Sequence, residues 1–600
     1  MTEGTISEAT PPKRGFLPPI GSIRYHLMLG AIAIFILGPL GGVTASYMNF
    51  SLGFFVGGQV LAGILGSTVT YFYGPEGKHG ANYMQTMAAS VASMSAMGVL
   101  LQAMIWLGLP EPPVWQLVLY FLCIGMFGVG VGMLYTPLLV DKLNLTFPSG
   151  LAVANILRAL TDKNLLKRSV SQLGGGILAG FGGGYFVDKI EWLGKTGIST
   201  STLGAGMIVG ARISVPAIVV GFIGLQLTPW LRSIGWLGEH DPWRKIGFII
   251  ALGTILGAAI VDLTLIFRQA IAKIRGTATG PAVEAPPTEE WKKTNTRAMI
   301  LWAAFWGVAL IIVATTVLNV PALFVLFAIG LVFVFLLING ISLGISDSNP
   351  ISSAFVVSVI LMSLIGLKDP GVGLMAASIL LISTAVGCDM QQDRSTGWRL
   401  GTPRNMQFRY QVIGIFMGAI MAVVMAKIFM KAYPVLMVDT FSHPEQKVAQ
   451  WQSAMTYKFV GALRGLTTTG GPQIKALLIG IGIGLFTEIC RKLLKANEAY
   501  QKFKKSNVAA DFVIDAILLP SPYASSFGGF VEWLTALWYG IGGIASSLFN
   551  TVSERMAAGK PKNDDLPEDM STMSLLGGGL IAGDSLAALA LGIIGLLSLL

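Results

Sequence analysis

The chain has 600 residues, of which 53% are hydrophobic and only 12% are charged. An ordinary soluble domain carries roughly 25% charged residues, so this composition excludes a water-soluble fold. The formal net charge of +10 comes from basic residues that lie between apolar runs, which is typical of membrane topology rather than of nucleic-acid binding. The sequence therefore predicts an all-α polytopic membrane protein with the lipid bilayer as a partner and no nucleic acid.

The apolar runs predict the membrane spans. A helix needs about 20 apolar residues to cross the hydrocarbon core, and runs of this kind lead us to expect about 14 to 16 transmembrane helices. The runs are, in chain order, His26–Met48, Ser51–Tyr73, Asn82–Leu107, Val114–Val140, Gln172–Val187, Ile198–Leu227, Ile246–Phe267, Ala298–Leu318, Leu323–Ile341, Gly371–Cys388, Val412–Met430, Ile474–Cys490, Val531–Phe549 and Leu575–Leu600.

Several other segments are too short or too polar to span simply, and each is interrupted by Pro, Gly, Ser or Thr. They are Leu145–Leu160, Ile351–Leu367, Tyr457–Thr469 and Phe512–Phe530. Irregular backbone at membrane depth is tolerated where protein or a water-filled cavity satisfies its polar groups. These broken or re-entrant segments therefore indicate a substrate path.

A proline-rich, charged stretch divides the chain near its middle. We expect a cytoplasmic N-terminal tail over 1–24, a first transmembrane half over 25–275, a cytoplasmic linker over 276–297 and a second transmembrane half over 298–600. Basic residues flank the first span and recur in the loops, which predicts a cytoplasmic N-terminus. We find no clean internal sequence repeat, although duplicated halves are common in secondary transporters and can survive in structure after the sequence signal has faded.

Counting the spans exposes a conflict between two basic loops. Three predicted spans separate Arg168 from Arg268, which would put these loops on opposite faces although basic loops favour the cytoplasmic face. One segment between them must be a hairpin or re-entrant. The glycine-rich stretch Gly204–Gly224 is our candidate.

The first informative motif is the sequence Phe147-Pro148-Ser149-Gly150. Pro fits the first turn of a helix, where no amide hydrogen bond is lost, and the free N-terminal amides carry partial positive charge that could hold an anionic group. The simpler alternative is an ordinary helix entry at the membrane face. Phe147, Pro148 and the later Asn155 are candidate pathway residues.

A second motif, ISDSNPISSAF, joins Asp347, Asn349 and Pro350 inside apolar sequence. This pattern predicts a polar helix break, which supplies free carbonyls and amides of the kind used by solute and ion sites. The alternative is a capped helix start at a membrane face.

The third motif lies between Val386 and Gln411 and contains two acids, Asp389 and Asp393. Four residues apart on a helix, they face one side, with Gln392 adjacent. Paired carboxylates at the end of a span could relay protons or bind a cation. The alternative is that they neutralise the arginines that follow.

The last apolar run carries Asp584 near its middle. A carboxylate there costs roughly 2.5 to 3.5 kcal/mol on insertion scales, so it should face a polar interior. Two other acids, Asp262 and Glu488, lie close to basic loops and are expected to snorkel or to pair with Arg268 and Arg491.

Several motifs are absent. The four histidines and three cysteines show no metal-binding or disulfide spacing, and no phosphate-binding loop opens an ATPase domain. We therefore expect no metal site, no cofactor and no enzyme activity, and a gradient as the energy source if transport is active.

The motifs together resemble the oligopeptide transporter family, which includes peptide carriers and the yellow stripe-like metal-chelate carriers. The resemblance covers nearly the whole chain through the blocks LTFPSGLAVANILRA, SNPIS, GCDMQQDRSTGWRLGTPRNMQ, LLPSPYASSFGGF and GGGLIAGDSL. It implies two related helical halves and alternating access driven by protons. Asp389 and Asp393 would occupy the paired-acid block, and Asp584 stands where many members carry Glu. Cys388 and Ser149 differ from the residues that are commoner at these positions in the family.

The expected function is proton-coupled symport of short oligopeptides into the cytoplasm, across the cell (inner) membrane. The main alternative is uptake of metal chelates of the iron-siderophore or nicotianamine-like kind, and a channel or membrane-embedded enzyme fits less well. Whether the protein is a homo-oligomer is open. The candidate substrate or pathway residues are Phe147, Pro148, Asn155, Asn349, Pro350 and Gln392, and the candidate proton-coupling residues are Asp389, Asp393 and Asp584.

Overall fold

The computed structural model describes residues 17–51, 59–161, 163–239, 241–274, 289–346, 349–443, 451, 453–464, 472–557 and 571–597. Within these ranges every regular element is a helix, which confirms the all-α fold. Most of the N-terminal tail and of the linker, and Asp347 in the second motif, lie outside the described residues.

The helices before the linker are α1–α12. They are Ile23–Ile32, Gly38–Ser51, Gln59–Thr70, Gly77–Ala96, Val99–Trp106, Val114–Thr136, Pro148–Thr161, Lys163–Lys189, Glu191–Gly194, Thr200–Val209, Ala211–Ser233 and Arg244–Ile274. The helices after it are α13–α24. They are Thr296–Ile312, Ala322–Ser346, Ile351–Leu364, Pro370–Leu400, Arg404–Ala432, Ala454–Arg464, Pro472–Ala496, Glu498–Ser506, Val508–Val513, Pro522–Phe530, Trp533–Ala557 and Thr572–Leu597. Short π-helical turns follow α1, α6, α13 and α21, at Ala33–Leu37, Pro137–Lys142, Val313–Val317 and Ile514–Leu518.

The described residues contain eight helices long and apolar enough to cross a membrane, or nine when the pair Val508–Leu518 and Pro522–Gly529, bent by 50°, counts as one span. Five more helices, α8, α12, α19, α23 and α24, have 25 to 31 residues and are long enough at 1.5 Å per residue. Counted by length alone, these five would bring the candidate spans among the described residues to fourteen, the lower end of the expected range. The polytopic membrane fold is confirmed.

The helices pack as two groups. Group A contains α1–α6 and α13–α18, and group B contains α8–α12 and α19–α24, because the closest helix pairs lie within these sets. Each group draws on both sides of the linker: α4 packs on α17 in group A, and α8 on α24 in group B. Helix α7 contacts α3 and α16 of group A as well as α8 and α24 of group B. It is therefore the main bridge between the groups.

Group B is held together by glycines that bring helix backbones into direct contact. A Cβ atom placed on Gly176 of α8 would lie 2.6 Å from the Leu576 carbonyl oxygen of α24, and one on Gly579 would lie 2.6 Å from the Leu173 carbonyl oxygen. Lipid supplies no hydrophobic force between helices, so such close approach is what stabilises their association. Helices α12 and α19 repeat this packing through another pair of glycine-containing faces.

The chain reverses its direction at Gly210, between α10 and α11. Gly210 has φ 78°, a conformation that glycine adopts without steric cost. Helix α10 runs parallel to α23, since Gly197 lies against Leu534 and Gly206 against Tyr539. Helix α11 runs antiparallel to α23 and starts beside Ser547, whose Oγ accepts a hydrogen bond of 2.9 Å from the backbone of the first α11 residue. The reversal falls inside Gly204–Gly224, the stretch that the sequence analysis named as its candidate, and the membrane face of the two basic loops stays a prediction.

The expected pairing of Glu488 is confirmed. Its carboxylate lies 3.2 Å from Lys492 Nζ and 3.8 Å from Arg491 Nε. The Asp262 side chain lies outside the described part of the chain.

A largely buried ion pair fixes the start of α17 to the π-helical turn that follows α6. Arg404 donates two hydrogen bonds to the Asp141 carboxylate, one of them 2.8 Å long. The side chain of Arg404 is 3% exposed and that of Asp141 is 27% exposed. Bidentate geometry of this kind is the strong form of an arginine–carboxylate pair.

Replacing Asp141 by Asn should lower the melting temperature of the purified protein, because the buried Arg404 would keep its charge without a counter-ion. Removing one partner of a buried pair costs about 3–5 kcal/mol, and we expect the lower part of this range because Asp141 is partly solvated. The control is Glu191→Gln, which breaks a pair with Lys195 whose side chains are 85% and 74% exposed. Equal melting temperatures for the two variants would show that the Arg404–Asp141 ion pair does not stabilise the fold.

Candidate functional site

Helix α16 forms the centre of group A and carries the third motif. It starts at Pro370, where the Asp369 carboxylate caps the first turn by accepting hydrogen bonds of 2.6 Å and 3.0 Å from backbone amides. It ends at Leu400, and the next residue, Gly401, has a φ of 69°, which stops the helix. No break interrupts the 31 residues between these ends. Asp389 and Asp393 therefore lie one turn apart on a continuous helix, as the spacing predicted.

Asp393 is buried among side-chain amides. It is 1% exposed, and its Oδ1 accepts a hydrogen bond of 2.6 Å from Gln85 Nε2 of α4. Gln407 of α17 donates to the Asp393 backbone carbonyl at 2.8 Å and to Thr86 Oγ1 at 3.0 Å. An ionised carboxylate in such a site loses its hydration. Whether Asp393 is protonated or ionised therefore affects the hydrogen bonds of the surrounding side chains.

The polar cluster around Asp393 continues along α4 and α17. Asn82 Nδ2 donates to Thr402 Oγ1 at 3.1 Å, and His79 Nδ1 lies 3.1 Å from the same oxygen. The sequence analysis missed Asn82, Gln85 and Gln407. Their spacing on α4, where two amides lie three residues apart within an apolar span, is the signal that could have found the first two.

Arg394 is also fully buried, but it faces another helix. Consecutive residues lie about 100° apart around a helix, so Asp393 reaches α4 while Arg394 reaches α17. Its Nη2 donates to Gln411 Oε1 at 2.9 Å. The Nε and Nη1 atoms have no hydrogen-bond partner among the described residues. Asp393 and Arg394 thus each make a hydrogen bond to a side-chain amide, on α4 and on α17 respectively.

Asp389 and Gln392 lie on the neighbouring surface of α16. Asp389 is half-buried, and Gln392 is 6% exposed. The start of α7 packs here: a Cβ atom on Gly150 would lie 2.7 Å from the Gln392 carbonyl oxygen. Thr396 Oγ1 donates to the Gly150 carbonyl at 2.9 Å. Only glycine allows α7 to approach α16 this closely.

The first broken segment joins α7 to the end of α14. The Phe147 amide donates to the Gly344 carbonyl at 2.8 Å, and the Phe147 side chain is fully buried. Phe147 has φ 44°, a left-handed conformation that is strained for a bulky residue. Pro148 then begins α7, as the motif predicted.

The second broken segment reaches the same region from α15. Asn349 Nδ2 donates to the Thr384 carbonyl of α16 at 3.4 Å, and Pro350 directly precedes the first residue of α15. Asn349 Oδ1 is buried and has no hydrogen-bond partner among the described residues. The two broken segments therefore meet α16 between Thr384 and Gln392.

Two further candidates lie in or against group B. Asp584 Oδ2 accepts a hydrogen bond of 3.1 Å from the Ser201 amide in the first turn of α10, a stabilising position for an anion. Asn155 of α7 donates to Ser574 Oγ of α24 at 3.3 Å. The structure thus brings Asp389, Gln392 and Asp393 together with the two broken segments. It places Asp584 at the α8–α10–α24 contact.

Two arginines of the third motif, Arg399 and Arg404, bind groups on other parts of the chain. Arg399 Nη2 donates to the Thr146 carbonyl at 2.8 Å, and Arg158 donates to the Arg399 carbonyl. Arg404 pairs with Asp141. These contacts tie the loop before α7 to the end of α16. The alternative in which Asp389 and Asp393 neutralise the arginines stays a prediction.

The fold and these broken helices define a multi-pass integral membrane protein with interrupted helices around a polar core. The family model of the OPT oligopeptide transporter proteins matches residues 27–594, and the chain belongs to this family. A Haemophilus influenzae protein named "Putative oligopeptide transporter" is 24% identical over 506 residues, which cover 73% of this chain and 78% of that relative.

Proposed function

We propose that the protein is a secondary active transporter that carries short oligopeptides into the cytoplasm by proton symport. It would act by alternating access in the cell membrane, with the N-terminus cytoplasmic and without a cofactor or enzyme activity. Membership of the oligopeptide transporter family supports transport. The peptide substrate follows the name of the Haemophilus influenzae relative.

The observation that carries the mechanism is the boundary between the two helix groups. Their direct contacts are few beside those within each group, and α7 makes the most extensive contacts to both. Alternating access requires two rigid bodies that move against each other around a substrate site. The broken segments at Phe147–Pro148 and Asn349–Pro350 lie where α7 and α14 face this boundary, so we place the substrate path there.

We assign proton coupling to Asp393. Its carboxylate is more buried than that of Asp389, and it lies on α16, which both broken segments contact. A charge that must cross a low-dielectric region is cancelled by protonation. The hydrogen bond from Gln85 stabilises the ionised form of Asp393. The protonated and the ionised forms of Asp393 therefore differ in their contacts.

The function is tested by uptake into proteoliposomes under an inward proton gradient. The substrates are a labelled mixture of tri- to pentapeptides and, in parallel, ferric chelates of amino-acid-derived ligands. Saturable peptide uptake that collapses with a protonophore is the expected result. Uptake of the chelates alone would identify the protein as a metal-chelate carrier. Uptake of neither substrate by folded protein would contradict the transport function as proposed.

A further inference from the structure

Asn339 of α14 carries a side-chain amide that is buried without a hydrogen-bond partner. Its side chain is fully buried, and neither its Nδ2 nor its Oδ1 atom makes a hydrogen bond to any residue that the structure describes. A buried polar group in this state has lost its hydration and gained nothing in return. Native proteins leave few such groups, so each indicates a functional role or a partner from outside the chain.

Asn339 lies level with the part of α16 that carries the third motif. Helices α14 and α16 run in the same direction: Val320 and Val372, near their starts, line one cavity, and farther along Cys388 Sγ donates to the Leu336 carbonyl at 3.6 Å. Asn339 is three residues beyond Leu336 and on the same face of α14. It is therefore level with the residues that follow Cys388 on α16.

Asn349 brings a second such group to α16. Its Oδ1 atom is buried and has no hydrogen-bond partner in the described part of the chain, while its Nδ2 atom donates to the Thr384 carbonyl at 3.4 Å. Thr384 precedes Cys388 by one helical turn, so the two asparagines are about six residues of α16 apart, or about 9 Å at 1.5 Å per residue. Three extended peptide residues span about 10 Å. One short peptide can therefore reach both side chains.

The elements that carry the two asparagines face group B. Helix α14 packs against α10, α11, α12 and α22, and α15, which follows Asn349 and Pro350, packs against α12. Alternating access would separate the two groups and open these elements to a solute. The asparagines are thus placed to gain a partner when the boundary opens.

The backbone of a peptide is the ligand that complements a side-chain amide. In an extended peptide the N–H and C=O groups of one residue point to the same side, so the N–H can donate to Oδ1 of an asparagine while the C=O accepts from its Nδ2. Asn339 would then satisfy both of its polar atoms with one residue of the solute. Such a site does not contact the solute's side chains, so it would accept short peptides of different sequence.

We propose that Asn339, together with Asn349, binds the backbone of the transported peptide through hydrogen bonds to its N–H and C=O groups. This inference rests on the proposed function. It adds a recognition residue, Asn339, that the sequence analysis did not single out, and its role is separate from the proton coupling assigned to Asp393.

The first test compares a labelled tripeptide with the same tripeptide methylated on both peptide nitrogens, in proteoliposomes. Methylation removes the N–H donors and leaves the charged ends and the side chains unchanged. Wild-type protein should show a KM roughly tenfold lower for the unmethylated peptide, the effect of about one hydrogen bond. Asn339→Ala should raise the KM of the unmethylated peptide by roughly tenfold and bring the two KM values closer together.

The second test is the melting temperature of Asn339→Ala against that of Asn49→Ala. Asn49 of α2 is 1% exposed, and its Nδ2 atom donates to the Ala96 carbonyl at 2.5 Å. Both variants lose the same atoms from a buried helical position of group A, but only Asn49→Ala breaks a hydrogen bond. Asn339→Ala should therefore melt at the higher temperature, and Asn49→Ala should keep the wild-type ratio of the two KM values.

Three results would overturn the inference. They are a wild-type KM that is equal for the two peptides, an Asn339→Ala protein that keeps the wild-type ratio, and an Asn339→Ala protein that melts no higher than Asn49→Ala. The last result would show that Asn339 already has a partner within the protein. Wild-type protein that transports neither peptide overturns the proposed function, and the inference with it.

Discussion

Replacing Asp393 by Asn should abolish proton-driven accumulation of peptide while exchange of peptide across the membrane continues. Asn has the same shape and keeps an oxygen for the 2.6 Å hydrogen bond from Gln85, so the cluster should persist without a proton to release. A gradient of one pH unit stores about 1.4 kcal/mol per proton, enough for a roughly tenfold concentration of solute. We expect this accumulation to disappear and counterflow to remain, measured with labelled tripeptide in proteoliposomes.

The control is Asp369→Asn, which makes the same substitution on the same helix. Asp369 caps the start of α16, and Asn caps a helix about as well as Asp, so accumulation should stay at the wild-type level. Asp389→Asn and Asp584→Asn test the other two acids that the sequence singled out. Accumulation that survives in Asp393→Asn but is lost in one of these would move the coupling role to that acid.

Replacing Gly176 by Ala should destabilise group B strongly. The new Cβ atom would lie 2.6 Å from the Leu576 carbonyl oxygen and 2.9 Å from the Gly579 Cα atom. Both are backbone atoms that cannot rotate away, so α8 and α24 must separate. Overpacking costs typically 1–3 kcal/mol even where side chains can adjust, and we expect at least the upper part of that range here. The measurement is the melting temperature in detergent, together with the yield of monodisperse protein.

Gly175→Ala is a control at the adjacent residue. A Cβ atom on Gly175 would meet nothing within 4 Å, so this variant should match the wild type or exceed it slightly, since Ala favours helix more than Gly by about 1 kcal/mol. Equal melting temperatures for Gly176→Ala and Gly175→Ala would show that close backbone contact does not hold α8 against α24.

The helical fold was predictable because apolar composition and proline positions are local signals. The starts of α7 at Pro148 and of α15 after Pro350 follow from what proline does to a helix. The end of α16 was not predictable in this way. Its apolar run stops at Cys388, but the helix continues to Leu400, because its polar residues are buried against α4 and α17 rather than placed in a loop. A hydropathy profile cannot distinguish a polar helix end that is buried against other helices from a polar loop.

The site was predictable in part. The sequence singled out Asp389, Gln392 and Asp393 correctly as neighbours on one helix. It could not show that Gln85 reaches Asp393, because the two residues are 308 positions apart and their contact depends on how α4 packs against α16. The roles of these acids stay predictions until the variants are measured.

Asp584 shows a second limit of reasoning from sequence. An acid in an apolar run indicates a polar environment, and the Ser201 amide at the start of α10 supplies one. The same signal is produced by a helix cap and by a proton carrier, so only the folded arrangement can separate them. The relation between the two halves on either side of the linker likewise stays a prediction.

The most direct test of the central claim is to record the pH inside proteoliposomes with a trapped dye while peptide is added outside. With no imposed gradient, the account predicts that peptide entry acidifies the interior, that the rate saturates with peptide concentration, and that Asp393→Asn removes the signal. Saturable peptide entry without any change in internal pH would contradict proton symport.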